Sequence, residues 1–311
     1  MSVQNKVIST LLSPCHRHSS LEEFYALMMG IRLFELSLLE MFGQGLLAGT
    51  THTCLGQEAT AVGVVSALER ESDIILSNHR CHGHFLAYCG QVEALYAEIM
   101  GKPSGVCGGR GGSQHLHFKN FYSNGIQGGI MPIAIGMAKA QQLKKSKAIV
   151  TVFVGDGTFG EGAVYEALNL ASLWKLPILL VVENNGYAQS TPTYLQLSGS
   201  FAGRLQGFDI PVKELKTTDV REILQVSGQV IDHVRQESKP HALIIEARRL
   251  GPHSKGDDHR SQEEMEAIRA QEPLNVMKAL IKSETQNLIQ QQMQELIDAC
   301  RQKVMEERGY V

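Results

Sequence analysis

The chain reads as an α/β protein built on a doubly wound, mostly parallel sheet with helices on both faces. Three observations predict it. Segments 148–154 (AIVTVFV), 177–183 (PILLVVE) and 241–249 (HALIIEARR) are continuously apolar, as strands covered on both faces are. Between the first two lies 161–175 (EGAVYEALNLASLWK), a helical segment that completes a strand–helix–strand unit of the kind parallel strands require. The 311 residues are 43% hydrophobic and 20% charged, enough apolar material for a full core without the bias of a disordered or fibrous chain. No repeat and no linker divides the sequence. Residues 1–311 therefore read as a single domain with helical extensions at both ends.

In chain order, residues 21–42 carry apolar positions at helical spacing behind a Ser20 cap, with Glu23 completing a capping-box pattern. The loop GQGLLAGTTHTCLGQ leads to a helix over 57–70, then a short strand, IILSN, ends at NHRCHGH. A helix over 92–100 precedes a glycine-rich, irregular segment from Gly101 to Asn124. Pro132 suits the first turn of a helix over 132–145. Beyond the central unit come a helix over 219–236, the strand over 241–249 and a polar loop, RLGPHSKGDDHRSQEE. A glutamine-rich helical tail runs from Pro273 to Glu307.

Composition also excludes partners. A net charge of −3 gives no basic surface for nucleic acid or for an anionic membrane. No stretch reaches eighteen apolar residues, so no membrane span is expected, and the first 20 residues lack the pattern of a signal peptide. The 6 cysteines form no CxxC pair, which fits a reduced, cytoplasmic setting.

The chemistry concentrates where the apolar runs stop. Gly155-Asp156-Gly157 ends one run and Asn184-Asn185-Gly186 ends the next. In an open parallel sheet, both turns fall at the carboxyl edge, where ligands bind. Glycines let backbone amides approach an anion, and the helix beginning near Gly160 adds its positive end. Asp156 and Asn185 offer hard oxygen ligands of the kind Mg²⁺ prefers beside phosphates. Either tripeptide alone would be an ordinary turn; the pair, each ending a strand of one unit, points to a magnesium diphosphate. No lysine follows the glycines as in a P-loop, and there is no GxGxxG dinucleotide fingerprint.

Together with SNHRCHGH, GGRGGSQHLH, NGIQGGIMP and RLGPHSKGDDHR in this order, the GDG…NN pattern resembles the alpha subunits of thiamine-diphosphate-dependent 2-oxo acid dehydrogenases. The resemblance covers residues 21 to about 300. HRxHGH and ENNGYA are nearest the acetoin dehydrogenase branch; the pyruvate and branched-chain branches usually carry Tyr where this chain has His79.

The resemblance implies that Asp156, Asn185 and the main-chain carbonyl of Tyr187 ligate Mg²⁺. Gly155, Gly157, Thr158, His79 and Arg80 would bind the diphosphate end of the cofactor, and main-chain groups of Gly125 and Gln127 its aminopyrimidine. His52, His82 and His253 would line the route to the reactive thiazolium carbon, with His253 also against the cofactor. Histidine suits proton transfer near neutral pH; the clusters HRCHGH and QHLH would also suit zinc, although no cysteine pair supports it. His115 and His117 read as structural loop residues, and GGRGGS as a loop over the active site. The loop after His253 is shorter than the family's and lacks its Pro; Ser254 or Ser261 could take a regulatory phosphate by position alone.

The family draws the Glu that activates the aminopyrimidine from a separate beta subunit, and no such context occurs here. The resemblance thus implies half an active site, completed by a beta subunit in an α₂β₂ assembly that passes an acyl group to a lipoyl-bearing acyltransferase. Two other readings remain at this point: the diphosphate-binding half of a split carboligase or transketolase-like enzyme, and a non-catalytic protein that keeps the fold.

Overall fold

The computed structural model describes residues 15–47, 49–254, 256 and 258–308. The signal-peptide reading of the first residues falls largely outside these. Seven strands form the main sheet in the order β2-β3-β1-β4-β5-β9-β8. They are β1 (Ile74–Ser77), β2 (His117–Phe118), β3 (Phe121–Ser123), β4 (Val150–Gly155), β5 (Ile178–Asn184), β8 (Val212–Leu215) and β9 (His241–Glu246). Only β2 runs antiparallel to its neighbour. A small hairpin, β6 (Tyr187–Ala188) and β7 (Thr191–Pro192), stands apart.

The central strands bury both faces. Val150, Val152 and Val154 of β4 pack with Ile178, Leu180 and Val182 of β5 against the helices Ile130–Leu143 and Gly162–Leu173. Their alternates Phe153, Leu179 and Val181 face the other way, toward the helices Leu21–Gly43, Glu58–Ser66 and Val220–Glu237. That is why these strands show no polar alternation in sequence. The Ser20 capping box forms as expected: the Glu23 amide donates to Ser20 Oγ at 3.3 Å, and the Ser20 amide to Glu23 Oε2 at 2.5 Å.

Several elements differ from expectation. The segment read as irregular contains β2 and β3, which extend the sheet beside β1. HRCHGH is not all loop: a helix starts at His82 and runs to Cys89. A short helix, Phe201–Gln206, and the edge strand β8 fill an interval with no assigned element. The tail is broken into Pro273–Lys278 and Ser283–Glu306, and part of the preceding polar loop is the helix Gln262–Ala270. Among the described residues no helix is long and apolar enough to cross a membrane.

Candidate active site

Register brings the two polar turns together. Gly155 pairs with Glu183 across β4 and β5, so Gly155-Asp156-Gly157 and Asn184-Asn185-Gly186 leave the sheet side by side. A single 3₁₀ turn, Asp156–Gly160, intervenes before the helix at Gly162. Above this edge lies a cavity of about 260 Å³. Of the sequence-predicted residues, His79, Arg80, Gln127, Gly155, Asp156, Gly157, Thr158, Asn185, Tyr187 and His253 line it.

Asp156 is 2% exposed. Its Oδ1 accepts the Gly157 amide at 2.8 Å, and Oδ2 the Thr193 hydroxyl at 3.3 Å. Burial pushes its carboxyl above the ordinary value despite these donors. Such a group gains from a nearby cation. Asn185 Oδ1 accepts the Tyr187 amide at 3.1 Å, and the Tyr187 hydroxyl donates to Glu264 at 2.8 Å. Gly157 is closely packed: a Cβ there would sit 2.7 Å from the Ala188 Cβ, so a side chain requires the neighbour to shift. A Cβ on Gly155 would meet nothing within 4 Å, because that side opens into the cavity.

Two buried guanidinium groups share the cavity, those of Arg80 and Arg249. Arg80 donates to the Thr53 carbonyl at 2.6 Å, and to His253 through both Nδ1 (3.2 Å) and the main-chain oxygen (3.1 Å). Burial, with Arg249's charge adding to it, pushes Arg80 down to about 10. A pair of desolvated cations is a site that an anion relieves. Arg249 falls inside the segment read as strand, 241–249, but β9 ends at Glu246, which leaves Arg249 three residues beyond it at the carboxyl edge.

Three histidines gather at one wall. The rings of His52, His79 and His253 have centroids 4.6 to 5.4 Å apart. His52 stands behind the cavity lining, held by Gln114 Nε2 at 2.9 Å from its Nδ1. His79 is held well below its ordinary pKa, first by burial and then by Arg80, so its ring is neutral near pH 7.

His82 is the exception. It does not line the cavity: its ring is fully buried, with Nδ1 on Glu35 at 3.1 Å and Nε2 on the Ser113 hydroxyl at 2.9 Å. Both ring nitrogens are committed, Nδ1 to the helix Leu21–Gly43 through Glu35 and Nε2 to the glycine-rich loop through Ser113, because the helix beginning at His82 turns this face inward. Burial works to raise the Glu35 carboxyl, but His82 overcomes it and holds it below the usual range. Gly125 also lies off the lining; a Cβ there would come within 2.3 Å of Gln114 Oε1.

Gln57, Asn78 and Glu183 join the lining without having been singled out. Asn78 ties the wall together, donating to Glu183 at 2.7 Å and accepting the Arg80 amide at 2.8 Å. The acceptor oxygens of Gln57 and Gln127 are shielded from solvent and lack a hydrogen-bond partner. Unpaired buried acceptors at a cavity are where ligand donors bind.

The profile of the dehydrogenase E1 component family matches residues 26–309. The chain is 37% identical to the alpha subunit of the pyruvate dehydrogenase E1 component of Zymomonas mobilis, over 82% of this chain and 74% of that protein. It is also 37% identical to the alpha subunit of the acetoin:2,6-dichlorophenolindophenol oxidoreductase of Bacillus subtilis, over 75% of this chain and 71% of the relative. The counterpart in Cupriavidus necator is again 37% identical, over 79% and 75%. A match of this extent, on a sheet edge that carries the paired polar turns, means that the chain belongs to the dehydrogenase E1 component family.

Proposed function

We propose that this chain is the alpha subunit of a two-chain, thiamine-diphosphate-dependent dehydrogenase. Acting as a single domain, it decarboxylates a 2-oxo acid or cleaves acetoin and passes the acyl group to a lipoyl carrier. The observation that carries this reading is the meeting of a buried carboxylate, Asp156, with two buried guanidinium groups at one sheet-edge cavity. That donor set fits a magnesium diphosphate: oxygen ligands for the dication and guanidinium forks for the phosphates. The family works with thiamine diphosphate. When bound, that cofactor supplies the carbanion-stabilising chemistry needed to break a bond beside a carbonyl.

The chain's own groups do the rest. Asp156, Asn185 and the Tyr187 carbonyl hold Mg²⁺. Arg80 and Arg249, with the Gly157 and Thr158 amides, take the diphosphate, and the bare Gly155 leaves room for it. Gln127, which lines the cavity, would meet the aminopyrimidine, and Gly125, set back from the lining with its carbonyl taking the Gln127 amide at 3.3 Å, would contribute its main chain once that side chain turns to the ligand. His253 moves protons at the substrate from the cavity wall, and His52, packed edge-on behind it with ring centroids 4.6 Å apart, supports that transfer along the same route. His82 acts at a distance, fixing Ser113 and thereby the loop that carries Gln114 against His52.

The relatives are named as alpha subunits, and a beta subunit completes the site in an α₂β₂ assembly. Large side chains stand exposed next to site residues in the chain, Ile126 at 66% beside Gln127 and Tyr194 at 80% beside Thr193, as a partner surface would have them. The purified chain with Mg²⁺ and thiamine diphosphate is expected to turn over neither pyruvate nor acetoin; adding the beta partner restores one of the two. Full turnover by the chain alone would overturn the half-site reading.

A further inference from the structure

His52, His79 and His253 come from three separate segments: the turn before the helix Glu58–Ser66, the end of β1, and the loop after β9. One ring nitrogen of each lies within 4.8 Å of one from each of the others. We propose that these three imidazoles form a binding site for a borderline transition cation such as Zn²⁺, and that filling it inhibits the enzyme. Binding stands on the geometry alone; inhibition rests on the function proposed above.

Ligand chemistry separates this site from the Mg²⁺ position. Imidazole nitrogens suit Zn²⁺ and Co²⁺, whereas Mg²⁺ selects oxygens such as those of Asp156 and Asn185. Three nitrogens about 2.1 Å from a tetrahedral ion stand roughly 3.4 Å apart. The present spacing of up to 4.8 Å therefore has to close by roughly 1.4 Å on binding. His79 is the pivotal ligand: its ring nitrogens are shielded, and the Gln127 side chain beside them, which favours a protonated ring, does not reach good hydrogen-bond geometry and must give way to an ion. The Gln114 amide beside His52 Nδ1 is the kind of outer contact that orients a ligating ring, once its oxygen turns to accept. His79 and His253 face the cavity, which leaves a coordination position for water, as open zinc sites have.

One contact opposes the ion. Arg80 donates to His253 Nδ1 at 3.2 Å, and its charge repels a dication. Binding therefore requires that the guanidinium turn away, toward the cavity it already lines. An ion held there occupies the cavity wall and takes up the lone pairs that proton transfer needs.

The test starts with Co²⁺ added to the purified full chain without thiamine diphosphate. One equivalent is expected to give the visible absorption of a tetrahedral nitrogen site, displaced by Zn²⁺ but not by Mg²⁺. His79→Phe and His253→Asn, on different segments, should each weaken binding at least tenfold, so one poorly folding variant does not decide the matter. Zn²⁺ should also raise the melting temperature of the wild-type chain and leave that of His79→Phe unchanged. An absorption unaltered in both variants, or a thiolate-to-cobalt band that marks a cysteine ligand instead, would overturn the site. With the beta partner and saturating cofactor, micromolar Zn²⁺ should inhibit turnover, and a chelator should reverse it. Binding without inhibition would remove the regulatory half, while failure of the thiamine reading would leave the cobalt spectrum as it is.

Discussion

Two glycine-rich regions of this chain meet negative charge in opposite ways. The loop GVCGGRGG folds around an anion of its own: the fully buried Glu98 carboxylate accepts the amides of Cys107, Gly109, Gly111 and Gly112 at 2.6 to 3.2 Å. Its glycines are packing requirements, since a Cβ on Gly105 would lie 2.5 Å from the Glu98 carboxylate and one on Gly111 2.0 Å from the His115 carbonyl. The turn Gly155-Asp156-Gly157 instead presents its backbone to an open cavity, beside guanidinium groups and unpaired acceptors. Glycine content alone does not separate a scaffold from a ligand cradle. Whether the protein already supplies the anion does.

The contrast can be broken most sharply at Asp156. Asp156→Ala should lower thiamine-diphosphate affinity in the presence of Mg²⁺ by more than the roughly 1.5–3 kcal/mol of one charged hydrogen bond, with the fold intact. Calorimetry that finds affinity unchanged would sink the cradle reading. The same residue makes a pH prediction. Burial raises its folded pKa, so the ligand-free native state holds a proton that the unfolded chain has lost. Stability should fall as pH rises from the ordinary Asp value through the raised one. Asp156→Asn should flatten that slope in urea titrations.

Glu98→Gln probes the other region. Replacing a carboxylate by an amide leaves buried N–H groups without an acceptor, at a cost of about 3 kcal/mol. Here the loss should appear in denaturant midpoints and only indirectly in cofactor binding. Equal effects of Glu98→Gln and Asp156→Ala on cofactor affinity would erase the distinction.

Within the cradle, Arg80→Ala should weaken cofactor affinity roughly 10- to 100-fold, as a lost charge-assisted contact does, with turnover recovering at saturation. His253→Ala should depress turnover even at saturating cofactor. Identical kinetic defects in the two would dissolve that division of roles. Of the two cradle glycines, one is a packing requirement and the other gives the smallest effect on stability. Gly157→Ala overpacks against Ala188 and should cost about 1–3 kcal/mol of stability. Gly155→Ala should leave stability within about 0.5 kcal/mol and act only on the ligand, since nothing but the cavity faces it.

These differences mark what a sequence can disclose. The GDG and NNG turns were legible because each motif is local and each ends an apolar run whose type is plain. Their adjacency followed from the strand–helix–strand rule. His82, expected on the route to the thiazolium carbon, stands off the cavity lining: in HRCHGH it sits among functional neighbours, and only the helix beginning there turns it toward Glu35, 47 positions earlier. β2 and β3 were invisible for a different reason: strands of two and three residues carry no periodicity. Glu98 sits within an ordinary amphipathic helix, and nothing in that pattern announces that four amides of the following loop will close on it.

The Glu98 cage has a further consequence, for the order in which the molecule assembles. Its contacts span only 9 to 14 residues, so closing them costs little chain entropy and needs no finished sheet. The cofactor cavity draws on pairs as distant as Arg80 and His253, 173 positions apart, which meet only after β1, β4, β5 and β9 are aligned. Contacts of such different range form on different timescales. The loop that steadies the active-site histidines can therefore take shape early, while the cavity it borders is among the last features to close.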